Sequence, residues 1–364
     1  VMETRPSRRV FFCRETKDSV RFPLPPQFTR LLIMSIVSVC LTPGIQRSVA
    51  LDSLNVGEVN RLKAAHVDVS GKGINVCRVL QRLKIPACCL SQGGSNADEL
   101  MLLAQREGLN LKLVASTGML RTCTSIIETS AADGCRVTEL IEPSPTVEEP
   151  CIQEITRSVK GLLPTAQALV IAGSMAPGFP ADYQAKLAAL AREAKVPVFL
   201  DLQGAPLRAA IAEQPVLVKI NLSEFVATFL SHRFQGGEHS GVLAQPELAD
   251  EILEAVADVS RQYATTFVLT RGANSILIAQ GGDVRVVPVT SLSPTEVFNP
   301  IGSGDAFLAG MVARLVAAAP ASDRHFTMAA LADACVFATA CAQSNARTAR
   351  PGFLEDSFAL DYRA

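Results

Sequence analysis

The chain contains no tryptophan and only three tyrosines among its 364 residues. Single-stranded nucleic acids are held largely by bases stacking on aromatic rings, so this shortage argues against a nucleic-acid partner. Charge of one sign is lacking too: 34 Lys and Arg against 35 Asp and Glu leave a net charge of −1. That removes the electrostatic case for nucleic acid or an anionic membrane surface. The mostly apolar run Leu31–Leu41 has eleven residues, where a membrane helix needs about 20. It is rich in Ile and Val and stops at Thr42-Pro43-Gly44, which reads as a buried first strand ending in a turn and not as a secretory signal.

Cysteine is present ten times, but no two are spaced as CxxC, and histidine occurs only four times. A zinc site or a disulfide framework is therefore not indicated. Cys88 and Cys89 lie in an apolar run, so buried, reduced thiols and a cytoplasmic location are expected. The signature GxxxxGKS or GxxxxGKT is absent, which excludes a P-loop enzyme. Neither Gly71-Lys72-Gly73 nor Gly302-Ser303-Gly304 is followed by a third glycine at the dinucleotide-fingerprint spacing, which argues against a nicotinamide cofactor.

What is present is ordinary globular composition, 48% hydrophobic and 19% charged, in a chain long enough for a large core. Residues 1–33 carry arginines and prolines without periodicity, and Met34 directly precedes the first strand. Residues 1–33 are thus expected to be a leader, disordered or foreign to the native protein, and 34–364 a single domain. Strands are read at Ile36–Leu41, Ala87–Leu90, Leu111–Val114, Ala168–Ala172, Val198–Asp201, Val216–Ile220, Thr266–Thr270 and Ser275–Ala279. Helices are read at Gly73–Leu83, Ala97–Glu107, Ala181–Ala194, Leu207–Ala212, from Ser223 and over Glu247–Gln262. This alternation predicts an α/β fold, a mostly parallel sheet covered on both faces by helices, with ligands at the carboxyl ends of the strands. Two segments do not fit that sheet, Arg47–Val69 and Arg121–Ile141; the second has the hairpin signal Asp133-Gly134. They are expected to form a small separate sheet, a lid. Phe234–Pro246, with three glycines, is expected to be an exposed loop.

Chemistry concentrates at Asn299-Pro-Ile-Gly-Ser-Gly-Asp-Ala-Phe-Leu-Ala-Gly310. Apolar residues then recur at Phe307/Leu308, Met311/Val312 and Leu315/Val316, a helical spacing. Gly302, Ser303 and Gly304 therefore open a helix with Asp305 in its first turn. Backbone N–H groups at such a terminus suit an anion, and an adjacent carboxylate can take a proton from an attacking hydroxyl. A plain turn followed by a capping aspartate would explain the same residues.

Five segments together resemble the PfkB carbohydrate kinases, in the branch of 1-phosphofructokinase and tagatose-6-phosphate kinase. Ser70-Gly-Lys-Gly-Ile-Asn-Val-Cys-Arg-Val-Leu80 resembles that branch's GGKGINVARVL. Gly57–Arg61 is similar to its GEVNR, Ala172–Gly178 to its SGSLPPG, Lys219–Glu224 to its KPNxxE, and Asn299–Gly310 to its GAGD signature. The resemblance runs in family order from about Ser35 to Leu354. It implies a ribokinase-like fold with a β-sheet lid, and ATP- and Mg²⁺-dependent phosphorylation of a sugar phosphate. It implies Asp305 as catalytic base and Gly302, Ser303 and Gly304 as anion hole. Lys219, Asn221 and Glu224 would serve the phosphate and, indirectly, the metal, while Thr270, Arg271 and Gly272 would border the nucleotide. Gln46, Gly71, Lys72 and Asn75 would hold the sugar, with Arg121 and Ser174 at its existing phosphate. Fructose 1-phosphate is the preferred substrate, with tagatose 6-phosphate and fructose 6-phosphate as alternatives. A homodimer through the lid is also implied.

Each residue has a plainer reading. Arg121 can be a solvated edge residue, Lys72 a solvated helix start, Glu224 the partner of Asn221 in a capping box, and Ser174 a bond to its own loop. Asn75 stands among Ile74, Val76, Val79 and Leu80, where a buried amide needs partners that a bound sugar would provide. Three departures from the family stand out: Gln46 in place of Asp, Ser70 in place of Gly, and Ile220 in place of Pro. Gln46 and Ser70 touch the sugar side and keep open a second class of function, a sugar-phosphate sensor with weak catalysis.

Overall fold

The computed structural model describes residues 35–130, 134–231, 250–318 and 325–358. Residues 1–33 and the loop read at Phe234–Pro246 lie outside them. In chain order the elements are β1 (Ser35–Cys40), β2 (Gly44–Leu51), β3 (Ala64–Ser70), α1 (Lys72–Arg82), β4 (Ala87–Gly93), α2 (Ala97–Glu107), β5 (Leu111–Ala115), β6 (Arg121–Glu128) and β7 (Arg136–Ile141). Then come α3 (Glu149–Leu162), β8 (Ala166–Ala172), α4 (Tyr183–Glu193), β9 (Val198–Asp201), α5 (Gly204–Ala210), β10 (Leu217–Asn221), α6 (Leu222–Phe229) and α7 (Asp250–Tyr263). The last are β11 (Phe267–Arg271), β12 (Asn274–Gln280), β13 (Asp283–Val287), α8 (Ser303–Ala318) and α9 (Met328–Ala346).

Among the described residues nine strands form one sheet in the order β13-β12-β11-β10-β9-β8-β1-β4-β5. Its strands from β5 to β11 are parallel, and β12 and β13 return antiparallel at one edge. β1 shows why a parallel sheet reads as a continuous apolar run. Ile36 and Cys40 pack on one side with Ile74 and Leu80 of α1, Leu308 of α8 and Leu331 of α9. Val37, Val39 and Leu41 pack on the other with Ile155 of α3, Leu187 of α4, Phe225 of α6 and Val256 of α7. Each such side chain contributes roughly 1.5–3 kcal/mol by leaving water.

β2, β3, β6 and β7 form a second, four-stranded sheet in the order β3-β2-β6-β7. β2 pairs antiparallel with β3 and parallel with β6, and β6 and β7 make an antiparallel hairpin. Its face is fixed by the two-residue alternation of strands. Asp68, Gln46, Cys123 and Ile141 stand in one cross-strand row, and Ser70, Gly44 and Arg121 in the next row of that face.

Among the described residues two helices, α3 and α9, are additional to those expected from the sequence. α9 buries mainly one face, Leu331, Ala334, Cys335, Ala338 and Cys341, but apolar residues such as Ala332, Val336, Phe337 and Ala340 also occupy its other sides, so no polar stripe marks its period. Among the described residues nine cysteines are free thiols, and of these only Cys135 is not buried.

Candidate active site

The turn before α8 is shaped by two buried amides. Asn299 Oδ1 accepts from the Ile301 N–H at 3.0 Å, and its Nδ2 donates to the Ala349 carbonyl at 3.0 Å. Asn345 of α9 donates to the Ile301 carbonyl at 2.9 Å and to Ser303 Oγ at 3.2 Å, and accepts from the Gly352 N–H at 2.6 Å. Gly302 sits at φ +84°, and a Cβ there would come within 2.6 Å of the Gly352 nitrogen. The position therefore admits only glycine without a shift of the loop. In the first turn of α8 the Ser303 N–H donates to the Pro300 carbonyl at 3.1 Å and the Ala306 N–H to the Gly302 carbonyl at 2.9 Å; the N–H groups of Gly304 and Asp305 have no intrahelical acceptor and make this the anion-seeking end of the helix.

Four charged side chains converge there from different elements. Asp305 lies in the first turn of α8 and is buried. Asp201 ends β9 and accepts from Lys72 Nζ of α1 at 3.0 Å and from Lys219 Nζ of β10 at 2.9 Å. Lys219 Nζ also stands 2.9 Å from where a Cβ on Gly304 would lie, beside the loop. Burial pushes the Asp305 carboxyl up to about 6; the neighbouring Asp201 adds to this, while Lys72, a hydrogen bond from Asn75 and Lys219 oppose it. Burial likewise penalises charged Asp201, but Lys219 and Lys72 outweigh it and hold that carboxyl below its ordinary value. One aspartate is thus a fixed counter-ion and the other titrates close to neutrality.

Asn75 is buried, as a helix-interior amide must be paired to be, but its partners are protein groups and not an awaited sugar. Its Nδ2 donates to Asp305 Oδ2 at 2.8 Å and its Oδ1 accepts from Arg78 Nη1 at 2.7 Å. One N–H and one lone pair stay available. Gly71 precedes α1 at φ +134°, where a Cβ would strike Cys40 Sγ at 2.3 Å, and Ser38 Oγ holds the Gly73 carbonyl at 2.6 Å. The glycine loop is thereby pressed onto the end of β1, and Lys72 emerges beside Gly173, whose own Cβ would touch the lysine side chain at 3.3 Å. Ser174, next in that loop, is exposed, and its carbonyl accepts from Thr42 Oγ1 at 3.4 Å.

Across the loop from Asp305 opens a mostly apolar cavity of about 330 Å³, lined by Thr270, Gly272, Ile276, Ser303, Gly304 and Phe307 among others. Arg271 does not line it. Strand alternation turns its side chain away, and its Nη1 donates to Ser275 Oγ at 3.0 Å. Asn221 and Glu224 form a complete capping box on α6: Asn221 Oδ1 accepts from the Glu224 N–H at 2.7 Å, and Glu224 Oε2 from the Asn221 N–H at 2.9 Å. The plainer reading of that pair is realised, and it leaves one Glu224 oxygen outside the box.

On the small sheet, Gln46 is buried and turns its Nε2 to Ser125 Oγ at 2.9 Å. Arg121 lies over Gly44, and its Nε is buried without a hydrogen-bond partner among the described residues. Residues that the sequence did not single out complete the site: Asp201, Arg78, Asn345 and the Asp68–Arg350 ion pair. Asp201 carries the one legible signal, a carboxylate closing the apolar strand Val-Phe-Leu-Asp at the sheet's ligand-binding edge.

A parallel sheet whose strand ends bring a titratable aspartate, two lysines and an anion-seeking helix start together defines a phosphoryl-transfer enzyme in outline. The model of the pfkB family of carbohydrate kinases matches residues 35–354. The chain belongs to that family and is a phosphotransferase that acts on a carbohydrate hydroxyl. It is similar in fold to a possible 1-phosphofructokinase from Thermotoga maritima, with TM-score 0.71 and 21% identity over 89% of this chain and 95% of that one. Phosphofructokinase-2 from Escherichia coli, solved in complex with potassium, gives TM-score 0.70 and 18% identity over 90% and 97%. Ribokinase from Giardia lamblia gives TM-score 0.66 and 16% identity over 86% and 94%. No helix among the described residues is long and apolar enough to cross a membrane.

Proposed function

We propose that the chain transfers the γ-phosphoryl group of ATP to a hydroxyl of a ketohexose monophosphate, with fructose 1-phosphate giving fructose 1,6-bisphosphate as the preferred reaction. The observation that carries this reading is the juxtaposition of buried Asp305 with Lys219, Lys72 and the Gly302–Gly304 turn. Asp305, titrating at about 6, is a carboxylate at neutral pH yet basic enough to take the hydroxyl proton. The N–H groups of the turn and the Lys219 ammonium would neutralise charge that builds on the moving phosphoryl group. Asp201 would hold both lysines in register for that task.

The cavity lined by Thr270, Gly272 and Phe307 is suited to the base and ribose of ATP, with its phosphates directed at Gly304. Mg²⁺, when bound, would supply charge neutralisation there. It would be held through water by Glu224 and Asn221 and directly by phosphate, the usual manner for this ion. Arg121, with its unpartnered Nε, would bind the existing sugar phosphate, and a guanidinium selects phosphorylated over free sugar. The small sheet would close over the sugar. Val67 and Leu140 are exposed on its face opposite Gln46 and Arg121, which supports pairing of two chains there.

Gln46 favours a second reading that keeps the reaction and changes the sugar. Its amide is engaged with Ser125 and offers no carboxylate, so tagatose 6-phosphate or fructose 6-phosphate would be the acceptor if the preferred sugar needs that charge. Asp305→Ala tests the mechanism common to both: turnover should fall by on the order of 10²–10⁴ in protein with unchanged ATP binding. Retained turnover would remove Asp305 from the mechanism.

A further inference from the structure

Arg78 sits one helical turn after Asn75 in α1 and is buried. A buried guanidinium is costly unless its donors are met, and here four of its five N–H donors are. Nε donates to Glu107 Oε2 of α2 at 2.7 Å, and Nη2 to the Val69 carbonyl at 2.6 Å. Nη1 donates to Asn75 Oδ1 at 2.7 Å and to the Pro351 carbonyl at 3.3 Å. The guanidinium also lies over the Phe353 ring, 4.5 Å from its centroid, and the same ring carries Arg350 at 3.6 Å. A group held on four sides cannot turn to accommodate its neighbour; the neighbour must conform to it.

That constraint has a chemical consequence. Guanidinium is a donor only. The oxygen of the Asn75 amide must therefore face Arg78, and the NH₂ end must face Asp305. We propose that Arg78 is a positioning residue for the phosphoryl-transfer reaction: by fixing which end of the Asn75 amide meets Asp305, it keeps Asp305 a carboxylate with one oxygen occupied and the other open to the sugar hydroxyl. The proposal rests on the reading of Asp305 as base. An amide reversed at Asn75 would set its oxygen against Asp305 Oδ2. Two oxygens at hydrogen-bond distance share a proton or repel, so the reversed amide selects the protonated acid, which cannot serve as base. The charged groups that face Asp305 from the surrounding elements are Lys72 on α1, Asp201 on β9 and Lys219 on β10; Glu107 faces Arg78 from α2. Replacing Arg78 leaves the first three in place, so a change at Asp305 reports the amide.

The test uses the full chain in three forms: wild type, Arg78→Lys, and Arg78→Met combined with Glu107→Gln so that no unpaired carboxylate is left buried. Carbon-13 labelled aspartate reports the titration of the Asp305 carboxyl, its signal identified by its loss in Asp305→Asn. This readout needs no turnover. The combined variant should titrate at a pH higher by about one, with the acid limb of kcat/KM moving equally and falling about tenfold at a fixed pH on that limb. KM for ATP should stay within about twofold, since the nucleotide cavity is untouched. Arg78→Lys, which keeps a charge beside Glu107 but lacks the fork, should lie between. Should the combined variant fail to fold, the lysine form carries the test alone. An Asp305 titration unmoved in any folded variant overturns the proposal and leaves Arg78 a packing residue. Wild type that phosphorylates no sugar phosphate overturns the functional reading instead, while the carbon-13 titration still judges Arg78.

Discussion

Replacing Asp305 with asparagine should cost activity and yet make the protein relatively more stable as the pH rises. The carboxyl is displaced from 3.8 to about 6 by burial first and by Asp201 second. A carboxyl raised in the folded state contributes stability that is complete below the unfolded value of 3.8 and is lost as pH climbs through about 6. The full loss corresponds to about 3 kcal/mol, of which on the order of 1.5 kcal/mol falls between pH 5 and pH 8. Asparagine has the same shape and no proton to release. Costs that do not depend on pH, such as a new amide facing Asn75, cancel when one protein is compared with itself at two pH values. Calorimetric melting of both proteins at pH 5 and pH 8 reads the effect. The melting temperature of the variant relative to wild type should rise by on the order of 3 °C over that interval. An unchanged difference would mean that the lysines hold Asp305 ionised at ordinary acidity, and the electrostatic argument for its basicity would fail.

Gly302→Ala should leave the protein folded while lowering kcat by on the order of 10²-fold, because a Cβ at 2.6 Å from the Gly352 nitrogen must displace the turn; steady-state kinetics beside a melting curve checks both halves. Arg121→Ala should raise KM for the sugar phosphate by about 10–100-fold, the loss of a charge-assisted pair, with KM for ATP unmoved; an equal rise for both substrates would place Arg121 elsewhere.

Much of the fold was legible because the two periodicities are strong where strands alternate with amphipathic helices. α2 is read at its observed bounds, Ala97–Glu107, since Asp98 and Glu99 open it and Gly108 closes it in the left-handed region. α9 was illegible because its apolar residues run around the whole helix. In the site, local motifs revealed Asp305 and the glycines beside it. Pairings made at long range were hidden: Lys72 to Asp201 spans 129 positions, Asn75 to Asp305 spans 230, and Arg350 to Asp68 spans 282. Asn75 shows the limit of reasoning from one residue at a time. Its need for partners could be read, but the partners are Asp305 and Arg78, and Arg271 turns from the cavity for the same strand geometry that sends Thr270 into it.

We propose that this arrangement phosphorylates a ketohexose monophosphate. The most direct measurement is ADP release from the purified chain with Mg²⁺ and ATP, against fructose 1-phosphate, fructose 6-phosphate, tagatose 6-phosphate and the corresponding free sugars. Turnover should be strong on one phosphorylated ketohexose, with fructose 1-phosphate preferred, and weak on free sugars. Silence across the panel in protein that still binds ATP would contradict it, and would point to Gln46 and Ser70 as the residues that took the chain away from these substrates.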